Sequence, residues 1–362
     1  MTAMHRFPSA VLACVVAVCA AADPVAPGFT LSVLTDDVPN ARQMALAESG
    51  LLFVGTRRAG KVYAVVPAAD ADADPEVVTF ASGLVMPSGV ALLGDDLYVA
   101  ALDRILRYPD IAATYRDRPR PEIVTDELPD ARHHGWKYLS VGPDGFLYVN
   151  VGAPCNICKS DDPRFASIVR MDPATGETSV YAHGVRNSVG MTWHPETERL
   201  WFTDNGRDML GDDVPPEEVN VVVDVGAHYG YPHVHGEAIL DPQFGAGHDP
   251  ADYVPPAVEI QAHSAALGLA FYTHSAFPAE YAGALFIAEH GSWNRSSKVG
   301  YRVSVVRFGA DGPAYMPFID IWLANERASG RPNDVVVAAD GSLLISDDQG
   351  GRIYRATYTG TE

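Results

Sequence analysis

The residues of this 362-residue chain that could do chemistry fall in a few short segments. His133-His134 stand just before Trp136. Arg186-Asn187 form a second segment, and Asp204-Asn205-Gly206-Arg207-Asp208 a third. His263, the run His290-Gly-Ser-Trp-Asn-Arg295 with Lys298, and the pair Arg331 and Asn333 complete the set. Histidine is the side chain best suited to take a proton near neutral pH. Arginine forks match carboxylates and phosphates. A loop of carboxylates and backbone carbonyls suits a hard cation. Taken singly, each has a plain structural explanation. A lone histidine is commonly a hydrogen-bonded surface residue, and a lone arginine half of an ion pair. Asp204, Asp208, Asp212 and Asp213 could be a solvated acidic loop. Chemistry requires that the fold gather these segments.

The elements that would gather them repeat six times. Each copy is an apolar strand, a tight turn and a second apolar strand. The second strands centre on Phe53, Tyr98, Tyr148, Trp201, Phe286 and Leu344, with spacings of 45, 50, 53, 85 and 58 residues. Asp144-Gly145, Asp340-Gly341 and Ser49-Gly50 supply turn residues. Antiparallel repeats of this length predict the blades of a β-propeller. The expectation is an all-β chain with one six-bladed β-propeller over residues 29–358.

The register of the hairpins decides where the polar segments go. Whatever precedes the first strand and follows the second lies at the end opposite the turn. In the third copy this places His133, His134 and Trp136 beside the segment holding Cys155 and Cys158. In the fourth, Arg186-Asn187 fall beside Asp204–Asp208. In the fifth, His263 and Ser264 fall beside His290–Arg295. In the sixth, Arg331 and Asn333 fall beside Asp347-Asp348. Four copies thus send their polar loops to one face, where ring closure would assemble a site from distant segments. Independent surface residues would divide between both ends.

A formal charge of -20 argues against non-specific nucleic-acid binding. The N-terminus reads as a secretory signal over residues 1–22. His5 and Arg6 precede an apolar stretch from Val11 to Ala22 that ends in small residues. That stretch is too short to span a bilayer, and no other segment is long and apolar enough. The expectation is a secreted or periplasmic protein. Cleavage would remove Cys14 and Cys19, leaving Cys155 and Cys158 to form a disulfide in an oxidising compartment. Lys159 follows Cys158 where a c-type haem would need histidine.

Five segments together resemble the pyrroloquinoline quinone (PQQ)-dependent soluble sugar dehydrogenases, the glucose/sorbosone dehydrogenase family. They are His134–Val149, His183–Gly190, Asp204–Asp213 with Gly226–Pro232, His290–Arg295, and Gly330–Val335 with Ile353–Arg355. The similarity runs from about Phe29 to Tyr358 and fits the sorbosone-dehydrogenase-like branch better than the glucose branch. The family fold is a six-bladed propeller. The resemblance implies that His134 is the catalytic base. It implies that Arg186 and Asn187 contact the quinone, and that Gly206 and Arg207 offer carbonyls to a Ca²⁺ ion with Asp208 nearby. Arg331 falls where an arginine meets a cofactor carboxylate. Two departures stand out. Asn333 replaces a second arginine, and the cofactor lysine region is rearranged, with Arg295 or Lys298 as substitutes.

The chemistry so implied is oxidation of a sugar or alcohol. His134 takes the hydroxyl proton, hydride passes to the quinone, and Arg186 and Ca²⁺ stabilise the developing oxyanion. An external acceptor would then collect the electrons. A neutral histidine base predicts loss of activity below about pH 6.5, its unperturbed pKa. Two other classes fit parts of the pattern. One is a calcium-dependent lactonase with Asn187, Asn205 and Asp208 as ligands and His134 as base. The other is a non-catalytic propeller that binds carbohydrate or protein.

Overall fold

The six apolar segments centred on the marker residues are strands, and in every blade they occupy the second position of a four-stranded antiparallel sheet. Their composition explains the place. Leu52–Thr56, Leu147–Val151, Leu285–Glu289 and Leu343–Asp347 are buried along their whole length. A strand covered on both faces by neighbouring blades must be apolar on both, so period-two alternation gives way to a near-continuous apolar run. The computed structural model describes residues 24–68 and 73–360. The signal-sequence reading of residues 1–22 lies outside the described residues.

Six sheets make the ring. Their first strands are Ala41–Leu46, Gly89–Leu93, Leu139–Val141, Met191–Trp193, Ala266–Phe271 and Pro332–Val337. Each of these packs against the next around the axis, and the last returns to the first. The sixth blade closes the circle, because its outer strand is Phe29–Thr35 from the other end of the chain, paired antiparallel with Arg352–Tyr358. Phe29 fixes this closure by packing edge-on against Phe277, Tyr281 and Phe318. The long spacing between the fourth and fifth markers is explained by an excursion after Glu217–Val221. It carries the small hairpin Val234–His235 and Ile239–Leu240 before the blade's last strand, Val258–Ile260.

Buried polar side chains join the blades at the axis. Gln43 donates to the carbonyl of Leu139 and accepts from the amides of Val90 and Leu139. Thr203 donates to the carbonyl of Leu267, and Ser346 to that of Arg42. The inner strands are only a few residues long, so their exposed edges would leave backbone groups unpaired without these bonds. The result is a rigid rim on which the inter-strand loops stand.

Candidate functional site

A cavity of about 270 Å³ opens where the polar loops meet at one end of the axis. His134, Arg186, Asn187, Gly206, Asp208 and Arg331 all line it. The hairpin register is visible in the bonds between loops. The amide of Asn205 donates to the carbonyl of Asn187, and the amide of Gly291 to that of Ser264. The amide of Asp348 donates to the carbonyl of Arg331.

His134 sits in the left-handed region, with φ 51°, at a tight turn whose Gly135 amide donates to Arg132. Gly152 makes room for it. A Cβ at Gly152 would come within 2.5 Å of the His134 Cβ and 2.8 Å of its carbonyl oxygen. The ring Nδ1 is 2.9 Å from the carbonyl of Ala153. A carbonyl can only accept, so Nδ1 carries the proton of the neutral ring and Nε2 is left as the acceptor. Burial, the Arg186 guanidinium and the neighbouring His133 hold the His134 pKa well below its ordinary value.

Arg186 is buried, and four of its five N–H donors are engaged, leaving one on Nη1. Its Nη1 donates to the carbonyl of Asn205, Nε to the carbonyl of Asn156, and Nη2 to the Asn156 side chain and to Asp208. Beneath it, the Asp204 carboxylate accepts the backbone amides of Arg186 and Asn187, at 2.7 and 2.6 Å. Burial raises the Asp204 pKa to about 7 against the pull of those amides. The Asn187 Oδ1 is buried at the cavity without a protein partner.

The loop expected to meet a cation is held from below. Glu217, buried behind it, accepts the amides of Gly206 and Ala265. The Arg207 side chain turns away from the cavity to Asp241, at 2.6 Å, which also meets His235. The described residues form no hydrogen bond to the carbonyls of Gly206 and Arg207. Gly206 is needed here, since a Cβ would lie 2.8 Å from Pro215 and from the Pro216 carbonyl. Among the described residues no three His, Cys, Asp or Glu side chains are grouped to hold a metal. A cation here would therefore draw on backbone carbonyls and ligand oxygens.

The structure does not bring Arg295 and Lys298 to this cavity. Arg295 donates to the backbone carbonyls of Asp212 and Ala262 and pairs with Asp213. It staples two rim loops together. The Lys298 Nζ donates to the carbonyl of Glu326, at 2.8 Å, in an adjoining depression that Arg331 also lines. Their place is taken by residues of the first blade. Arg42 and Arg57 both line the cavity. The Arg57 guanidinium lies 4.0 Å from the centre of the Trp136 ring, and its Nε has no partner. Burial and the nearby Arg42 and Arg58 lower its pKa to about 10. Arg42 pairs with Asp348 at 2.8 Å. The Asn333 oxygen, in the amide orientation that suits its neighbours, accepts from the same guanidinium. Asp348 also meets His290 at 2.9 Å. The hairpin register applied to the first copy would have found both arginines, since Arg42 enters its first strand and Arg57 leaves its second.

The cavity thus sets Arg42, Arg57, Arg186 and Arg331 around His134, with His133, His263 and His290 also in its lining. Arg331 gives its guanidinium only to the carbonyls of His290 and Gly291. The carboxylates of the lining are Asp208 and Glu217, the latter with its pKa raised to about 8 by burial, while Asp348 pairs with Arg42 outside the lining. The excess of positive charge suits a polyanionic ligand. The histidines of the long excursion are not part of it. His233 and His248 stack with centroids 3.6 Å apart, beside Tyr253.

A family model described as Glucose / Sorbosone dehydrogenase matches residues 120–355. The chain belongs to the glucose/sorbosone dehydrogenase family. An uncharacterized protein of Borreliella burgdorferi is 31% identical over 347 residues, covering 91% of this chain and 89% of that protein. Among solved structures, a Trichoderma reesei protein of Carbohydrate-Active Enzymes Family AA12 superposes with a TM-score of 0.76 at 20% identity, over 92% of this chain and 97% of its own. The holo form of the PQQ domain of pyranose dehydrogenase from Coprinopsis cinerea gives a TM-score of 0.73 at 19% identity, over 92% and 96%. At these identities the superpositions establish the shared propeller, and the family match establishes kinship with sugar oxidoreductases. The disulfide expected between Cys155 and Cys158 is present.

Proposed function

We propose that this protein is a PQQ- and calcium-dependent dehydrogenase that oxidises a hydroxyl or aldehyde group of a sugar or sugar-derived alcohol. The observation that carries the proposal is the unpartnered Nε2 of the buried His134, its Nδ1 held by the Ala153 carbonyl, in a cavity ringed by four arginines. PQQ is a planar tricarboxylate ortho-quinone, and when bound it supplies the hydride acceptor. Its carboxylates call for guanidinium partners, which Arg331, Arg57 and Arg42 supply. The unpaired Asn187 Oδ1 and Arg57 Nε are polar atoms that a bound polar ligand would satisfy. The carbonyls of Gly206 and Arg207, with Asp208 beside them, are the oxygen donors for Ca²⁺, which would act as a Lewis acid.

In this reading His134 accepts the substrate hydroxyl proton at Nε2. The Ala153 carbonyl holds the tautomer and ring orientation for that task. Arg186 stabilises negative charge developing on the oxygen, and it does so without reorganising because its other donors are already fixed. Electrons leave to a separate acceptor. Cys155 and Cys158 are joined to each other, so they are not the attachment points of a c-type haem. Export through the N-terminal signal over residues 1–22 is part of the proposal and agrees with a disulfide. No helix among the described residues is long and apolar enough to cross a membrane.

The test is a titration of metal-free protein with PQQ, with and without Ca²⁺, followed by absorbance and by dye reduction with aldoses, sorbosone and simple alcohols. Calcium-dependent quinone binding with dye reduction is the expected result. Absence of quinone binding in both conditions would refute the reading.

A further inference from the structure

Asn156 lies inside the four-residue ring closed by the Cys155–Cys158 disulfide, and it touches both halves of the site. Its backbone carbonyl accepts Arg186 Nε at 2.9 Å. Its side-chain oxygen accepts Arg186 Nη2 at 2.8 Å and the backbone amide of Asp208 at 2.9 Å. Its side-chain NH₂ donates to the Asp208 carbonyl at 3.1 Å. One asparagine therefore satisfies two faces of a buried guanidinium and both backbone groups of the residue that follows Gly206-Arg207.

The ring itself is anchored. The amide of Cys158 donates to the Tyr231 hydroxyl at 3.0 Å, and the Cys155 sulfur lies 3.7 Å from the same oxygen. Tyr231 is buried. A disulfide over so short a loop removes little chain entropy from the unfolded state, so global stabilisation does not account for it. What it does is narrow the conformations open to Asn156 in the folded protein.

We infer that Asn156 is a positioning residue, and that the Cys155–Cys158 disulfide serves the site by fixing it. In this arrangement Arg186 and the 206–208 loop move as one unit with the disulfide loop. Cleavage of the disulfide by a dithiol, which leaves two thiols and an oxidised dithiol, would loosen both together. The inference rests on the proposed function for its consequence but not for its geometry.

Two measurements separate these. Amide hydrogen exchange is compared in the full protein for wild type, Asn156→Ala, the double variant Cys155→Ser/Cys158→Ser, and wild type treated with dithiothreitol. Exchange at 204–210 should rise about tenfold or more in all three perturbed forms, since the bonds lost involve a charged group and a buried amide. Exchange in the sixth blade should be unchanged. Equal exchange at 204–210 in all four samples would overturn the inference whatever the protein binds. The second measurement is the dissociation constant for PQQ with Ca²⁺ present. It should weaken about tenfold in Asn156→Ala, and Asn156→Asp should restore only part of the affinity, because it keeps the oxygen that accepts from Arg186 but loses the NH₂ that donates to the Asp208 carbonyl. A quinone affinity equal to wild type in Asn156→Ala would overturn the positioning role. If wild type itself binds no quinone, the proposed function fails, and the exchange result alone decides this inference.

Discussion

The backbone of Ala153 ties His134 to Arg186. Its carbonyl accepts the Nδ1 proton of His134 at 2.9 Å, and its amide donates to the carbonyl of Arg186 at 2.8 Å. Third-blade and fourth-blade loops thereby meet at one residue, which fixes the His134 ring against the Arg186 backbone, while Asn156, Asn205 and Asp208 hold the guanidinium itself. A site so fixed has little reorganisation to make during reaction.

Replacing the base tests its role directly. His134→Ala should lower turnover by about 10²–10⁴-fold, the usual contribution of a positioned proton acceptor. The measurement is dye reduction at saturating quinone and calcium. The folded state should survive, because the ring makes only one hydrogen bond to the protein, to the Ala153 carbonyl, and losing it costs about 1–3 kcal/mol. A loss smaller than about threefold would remove His134 from the base role.

The pH profile should differ from that of an unperturbed histidine. Burial and the adjacent Arg186 disfavour the charged ring, so in the cofactor-free protein His134 stays neutral below the ordinary 6.5. A base that resists protonation remains competent at lower pH, so in the cofactor-free protein the His134 titration should lie below the ordinary value. A bound polyanion would pull this titration back upward by favouring the imidazolium. Titration of the His134 ring protons by NMR, with and without quinone, checks both directions. A His134 ring titration at or above the unperturbed value without quinone would contradict the burial argument.

Arg57 offers a contrast between binding and stability. Its Nε lacks a partner, and its guanidinium is disfavoured by burial and by two neighbouring arginines. Arg57→Ala should therefore leave the melting temperature of the cofactor-free protein unchanged or raise it, despite the lost contact with Trp136. Quinone affinity should drop about tenfold or more, as expected when a charged partner of a carboxylate is removed. Calorimetry and a binding titration on the same preparation separate the two effects. A destabilised variant with unaltered affinity would mean that Arg57 is structural.

The sequence carried the ring and the gathering of loops because both follow from local pattern. Apolar runs marked the doubly covered second strands, and turn residues fixed which end each loop faces. His134, Arg186, Asn187, Gly206, Asp208 and Arg331 all reach one cavity for that reason. Arg295 and Lys298 fall outside it because their loop is long, and in a long loop position along the chain does not fix side-chain direction. Asp212 and Asp213, on another blade, turn Arg295 away. Arg42 belongs to the first blade, yet its partners Asp348 and Asn333 belong to the sixth. That pairing exists only after ring closure and has no local signature.

The buried carboxyl of Asp334 gives a test of the scaffold that is independent of any cofactor. It accepts the amide of Met44 at 2.8 Å and the hydroxyl of Tyr138 at 3.2 Å, so it joins the first, third and sixth blades. Burial raises its pKa to about 7 against those hydrogen bonds. In the unfolded chain the same group titrates near 3.9. Between these values the native state holds a proton that the unfolded state has released, so stability falls as pH rises through this window. Asp334→Asn removes the titration while keeping an oxygen for Met44. Unfolding in urea at pH 5 and pH 8 should show wild type losing on the order of 2 kcal/mol relative to the variant across that interval. Asp204, Glu217 and Glu218 act in the same direction. They are common to both proteins and cancel in the comparison. Parallel pH dependence of the two proteins would mean that Asp334 is already ionised in the native state, with the Met44 amide and Tyr138 hydroxyl outweighing its burial.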